Sequence, residues 1–174
     1  VYILEEKYVG ESTQKKLKKV REKMARRRAG VHILTSLYDI AWLFNIRGGD
    51  IPHVPVVLSF VVVTMEQSIW FIHEEVLDEK LKRYCRENQI LIKPYEAIYQ
   101  YAKDIPDGEK VLLDKHIVND QICRSLRTGV TVIQDINPSE QMKAVKNQTE
   151  LANIRKAHVR DGVVVTKFMY WLKT

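Results

Sequence analysis

Two cysteines in 174 residues, Cys85 and Cys123, rule out a disulfide framework. Each falls inside a predicted helix with no second Cys or His at ligand spacing, so both read as reduced thiols of a cytoplasmic protein. No apolar run can cross a bilayer. The longest, Val54 to Val63, is interrupted by Ser59 and falls far short of the ~20 residues a spanning helix needs. No signal peptide is visible, and Val1 in place of methionine reads as a processed or engineered start. The histidines are scattered at His32, His53, His73, His116 and His158, and none forms the His-x-x-x-His pair of a zinc helix. Arg47-Gly-Gly-Asp lacks the lysine and hydroxyl of a phosphate loop, and no Gly-x-Ser-x-Gly elbow occurs. There is no internal repeat and no low-complexity segment. These absences remove secreted scaffolds, helical membrane spans and three common catalytic layouts.

What remains is one ordinary domain's worth of chain, 45% hydrophobic and 29% charged, which reads as soluble and globular. Its net charge of +6 is unevenly placed. Thr13 to Arg28 holds nine basic residues and one acid, Glu22, for +8, so the rest sums to −2. Basicity therefore belongs to one helix. A run of this kind is usually a solvated face, with an anion- or protein-binding module on helix 13–28 as the alternative. It carries no aromatics to stack on bases, so nucleic acid is not the expected partner.

Taken in order, Val1 to Gly10 alternates loosely and reads as an extended lead-in. Ser12 or Thr13 caps the basic helix, Leu17, Val20 and Met24 form its buried stripe, and Gly30 closes it. Val31 to Thr35 is a short strand. Val56 to Thr64 is apolar and β-branched, a strand buried on both faces, and Ser68 to His73 is its hairpin partner. Glu74 to Asn88 is helical, Ile90 to Ile92 a strand, and Tyr95 to Lys103 a helix. Pro106-Asp-Gly makes a turn before the strand Lys110 to Asp114. Asn119 caps a helix through Leu126, Val130 to Ile133 is the sixth strand, and Pro138 opens another helix. Asn147, with Glu150 three residues on, begins the last helix, striped by Leu151, Ile154, His158, Val165, Phe168, Met169 and Leu172. His158 is expected to pack on that stripe with a hydrogen bond. The fold class is α/β: a mixed six-stranded sheet with flanking helices.

The chain is organised around Ser36 to Pro55. Ser36 caps a helix with Asp39 in its first turn and Leu37, Ile40, Ala41, Leu43 and Phe44 on its apolar face. Asn45 breaks the run. Gly48-Gly49 permits backbone angles closed to other residues, and Pro52 and Pro55 forbid further helix. Arg47 and Asp50 thus stand on a rigid turn, either pairing with each other or with backbone, or reaching an active-site mouth. Arg47, Asp50, His53 and Asp39 are the substrate-cleft candidates. Trp42 and Trp70 lie in apolar segments and are expected in the core.

Asp39-Ile-Ala-Trp-Leu-Phe-Asn-Ile-Arg-Gly-Gly-Asp-Ile with Pro55-Val-Val-Leu-Ser-Phe resembles the middle domain of three-domain Xaa-Pro aminopeptidases of the creatinase/prolidase, or pita-bread, family. Val1 to Gly10 and Lys143 to Leu172 fit the same pattern. The resemblance implies a creatinase/prolidase N-terminal-like fold, with residues 1–12 a linker from a preceding domain, 13–146 the α/β body, and 147–174 a helix leading into a catalytic domain. It implies no cofactor in this fragment and a parent hydrolase with two divalent metals, manganese by family habit. The implied partners are the catalytic domain of the same chain and, through it, a peptide with proline second. A homodimer through the last helix stays open, and no membrane is involved.

Overall fold

Ser59-Phe-Val-Val-Val-Thr and Ser68-Ile-Trp-Phe-Ile have no polar face to offer water. In the structure, a computed structural model that describes all of Val1–Thr174, they form β4 (Ser59–Thr64) and β5 (Ser68–Ile72), in the interior of a sheet. The six-stranded sheet adds β2 (Val31–Leu34), β6 (Ile90–Pro94), β7 (Lys110–Leu113) and β8 (Thr131–Gln134), in the order β6-β5-β4-β2-β7-β8. β4 runs antiparallel to both of its neighbours, and the other pairs are parallel. Burial on both faces is what continuous apolar strands demand.

On one face Leu34, Val61, Trp70 and Leu112 meet α2 (Thr13–Arg26), α3 (Leu37–Leu43) and α4 (Glu79–Glu87). Trp70 is fully buried there, edge-on to Phe44 with ring centroids 5.8 Å apart. On the other face Ile33, Phe60, Val62 and Phe71 meet Ile98 of α5 (Ala97–Asp104) and Ile122 of α6 (Asp120–Ser125). Two further helices, α7 (Pro138–Ala144) and α8 (Gln148–Lys173), complete the chain.

Local chemistry sets the element ends. Ser12, Ser36, Asp78, Asn119 and Asn147 each cap a helix with a side-chain oxygen, and Asn147 with Glu150 completes a capping box. Four sequence expectations are corrected. The segment 74–88 is not one helix: Glu74–Val76 is a 3-10 turn, and extended Asp78 starts α4 by accepting the Leu81 N–H at 2.7 Å. Gly30 does not close α2. Arg28 takes the left-handed turn instead (φ 55°), and a Cβ at Gly30 would meet only the movable Glu109 carboxylate. Neither Gly48 nor Gly49 has a positive φ. Gly48 is there for close approach, 2.8 Å from its would-be Cβ to the Val56 carbonyl. The lead-in is only partly extended: β1 (Tyr2–Ile3) pairs with β3 (Ile46–Arg47), and α1 (Glu6–Val9) follows.

His32 lies fully buried on β2, its Nδ1 3.0 Å from the Leu112 carbonyl, while Nε2 has no partner. Burial pushes its pKa down to about 4 from the ordinary 6.5. As pH falls below 6.5 the unfolded chain takes a proton that the folded chain refuses until about 4, so stability is lost across that window. Lowering the pH from 7.5 to 5 should cost about 2 kcal/mol through this residue alone. Urea melts of wild type and His32→Gln at both values check it: the variant loses less stability on acidification by about that amount.

Candidate functional site

The site forms where α3 ends. Its final carbonyls and the left-handed Asn45 (φ 52°) point inward and need donors. Lys16 of α2 supplies them. Its Nζ donates to the Trp42 carbonyl at 2.8 Å and to Asn45 Oδ1 at 2.7 Å, and sits 4.2 Å from the centre of the Trp42 ring. Lys16 is fully buried, and desolvation pulls its pKa down to about 8. The sequence places it among the solvated basic residues; the structure makes it the anchor of the turn. Asn45 in turn donates to the Glu11 carbonyl at 2.9 Å.

Beyond that anchor the candidate residues take different places. Arg47 is half-buried on β3, and its Nη1 donates to the Ala41 and Ile46 carbonyls at 2.9 and 2.7 Å. Burial works against its charge. Asp50 is exposed and accepts the Leu58 N–H at 2.8 Å. The two therefore bond to backbone, not to each other. His53 is exposed with φ 64°. Asp39 is buried under α7, where its Oδ1 accepts from Lys143 Nζ at 2.5 Å while Oδ2 has no partner.

Arg47 and Lys143 open onto a cleft of about 470 Å³ between the N-terminal arm, α3 and the start of α8. Trp42, Tyr38, Tyr8 and Glu150 share its walls, and Asp39, Asp50 and His53 do not. Trp42 is half-buried, outside the core proper, and its Nε1 donates to Glu150 Oε1 at 3.2 Å. Lys16, Lys143, Trp42 and Glu150 are the residues that sequence reasoning misses or misplaces here. One signal for Lys16 was present: Thr13, Lys16 and Val20 share a helix face, and all three are buried.

α8 behaves unlike the other helices. Its first two turns are held, with Asn147 and Asn153 side chains donating to the Val9 and Tyr8 carbonyls at 2.8 and 3.0 Å. Beyond that it stands clear of the body. None of its residues is buried, and Phe168, Trp171 and Leu172 are more than half exposed. His158 is exposed there too and makes no hydrogen bond, against expectation, because α8 leaves the body before reaching it.

No three His, Cys, Asp or Glu side chains converge where a metal ion could sit. The residues present thus do not fit the metal pair that the family resemblance implies for the longer protein. No helix is long and apolar enough to cross a membrane.

A family profile described as the creatinase/prolidase N-terminal domain matches residues 1–150. Xaa-Pro aminopeptidase 1 of Dictyostelium discoideum is 35% identical across 99% of the chain, which spans 27% of that protein. A probable Xaa-Pro aminopeptidase P of Coprinopsis cinerea is 32% identical across 99%, and the chain spans 30% of it. Among solved structures, the X-prolyl aminopeptidase of Caenorhabditis elegans, described as a cytosolic enzyme with a di-nuclear active site, superposes with a TM-score of 0.90 at 29% identity. That match covers 99% of this chain and 29% of that one. The prolidase of Pyrococcus horikoshii shares the fold, with a TM-score of 0.58 at 15% identity. The chain thus spans less than a third of the curated relatives it matches.

Proposed function

The chain belongs to the creatinase/prolidase N-terminal domain family, and from that premise we propose that it is the non-catalytic middle domain of a longer Xaa-Pro aminopeptidase. Its work there is architectural: it docks against a catalytic domain and shapes one wall of the cleft that admits a peptide with proline second. The metal pair, which we take to be manganese, and the hydrolytic groups belong to the catalytic domain. The protein acts in the cytosol, as the nematode relative is described to do.

One observation carries this reading. α8 is 26 residues long and its second half turns Phe168, Trp171 and Leu172 to solvent. An apolar helix face of that size marks a surface that another body covers. Charging it should weaken the longer protein and leave this chain unaffected.

The cleft wall has its own test. Arg47 keeps its remaining N–H groups free of protein partners while Nη1 holds two carbonyls. A planar guanidinium so placed suits a peptide carboxylate or carbonyl. Arg47→Ala in the longer enzyme should raise KM several-fold with a melting temperature within a few degrees of wild type. A fall in melting temperature with KM unchanged would instead make Arg47 a brace for the turn.

A further inference from the structure

We infer that the cleft between α2, α7 and the start of α8 binds a small phosphorylated anion. This site adjoins the Arg47 cleft, sharing Trp42, Lys146 and Glu150 with it, but does not depend on the peptidase reading. It encloses about 530 Å³, within the usual range for small-molecule sites, and Lys19, Lys23 and Lys146 line it beside Trp42. Two carboxylates share the wall, and both are already engaged. Glu11 is paired with Lys19. Glu150 accepts from Trp42 Nε1 at 3.2 Å through Oε1 and from the Asn147 N–H at 2.9 Å through Oε2.

Apart from Lys19, the lining lysines are less committed. Lys23 Nζ has no carboxylate or hydrogen-bond partner, and Lys146 Nζ holds only the Ala144 carbonyl of its own turn, at 3.0 Å. The buried Lys16 ammonium lies behind the indole, 4.2 Å from its centre. The N-terminus of α8, the positive end of a 26-residue helix dipole, adjoins the cleft at Asn147. Ammonium groups on flexible stems act as point charges, which suits a tetrahedral phosphate better than the planar carboxylate an arginine fork matches. The concave shape, closed on one side by α7, favours a small ligand over a polymer, for which the outer residues Lys15, Lys18 and Arg26 of α2 would be the contact.

Trp42 reports occupancy. Trp70 is fully buried, so Trp171→Phe leaves Trp42 as the responsive fluorophore of the chain. Titration with inorganic pyrophosphate, against chloride at matched ionic strength, should give a saturable emission change. Lys23→Gln with Lys146→Gln should weaken binding at least about tenfold, about 1.4 kcal/mol. Lys15→Gln with Arg26→Gln removes the same charge outside the cleft and should change it less than about twofold. Circular dichroism melts confirm that both pairs fold. No saturable change at millimolar pyrophosphate would overturn the site. So would equal weakening by both pairs, which leaves only a diffuse field, or tighter binding of duplex DNA through Lys15 and Arg26.

Discussion

Lys16→Ala should destabilise the chain by about 3 kcal/mol. The substitution strips the Trp42 carbonyl and Asn45 Oδ1 of their donor in a place water does not reach, and empties the space of a four-carbon stem. Each orphaned acceptor costs about 1–3 kcal/mol, and relief from burying a charge offsets part of the sum. Lys16→Met refills the space without the donor and should recover only the packing share. The pH dependence identifies the residue. The folded chain releases the Lys16 proton near pH 8, while the unfolded chain holds it to its ordinary 10.5. Across that window the unfolded state binds more protons, so wild-type stability rises with pH relative to either variant, by up to about 3 kcal/mol. Chemical denaturation at pH 7 and pH 10 reads both effects. Parallel pH profiles for wild type and Lys16→Met would mean that Lys16 is solvated.

Phe168→Asp with Trp171→Asp should have opposite results in two contexts. The two rings lie one helical turn apart with centroids 6.0 Å from each other, and both are more than half exposed. In this chain the double change should alter stability by less than about 0.5 kcal/mol, as surface substitutions do. In the longer protein the same positions bury two large apolar side chains under the proposal above. Losing them costs about 1.5–3 kcal/mol each, and two unpaired carboxylates add desolvation on top. The expected result there is a melting temperature lower by several degrees and peptidase turnover down more than tenfold, measured by calorimetry and by release of the first residue. Equal stability and turnover in the longer protein would mean that the α8 face is uncovered.

The sheet was legible because its strands obey one rule: Val61 to Val63 and Ile69 to Ile72 have no polar alternation, so both faces must be covered, and they are. The caps were legible because Ser36, Asn119 and Asn147 carry their chemistry locally. The site was less so. Asp39 reads as a first-turn acid serving the helix dipole, and only the return of α7 some hundred residues later gives it Lys143. Lys16 reads as one more cation on a basic helix, because periodicity reports burial of a face and not the inward reach of a long stem. Arg28 in the left-handed region could not be read at all, since its cost is met by backbone bonds to Ala25 and Met24 and by the Gly30 approach to β7. His158 misled for the opposite reason: a stripe of apolar residues shows that something covers the helix without saying whether this body does.

The reactive groups of the family should lie outside this fold, and one assay addresses that directly. The purified 174-residue chain, incubated with manganese and a peptide bearing proline second, should release no first residue above the buffer rate, while the longer protein does. Manganese-dependent release by the chain alone would contradict it.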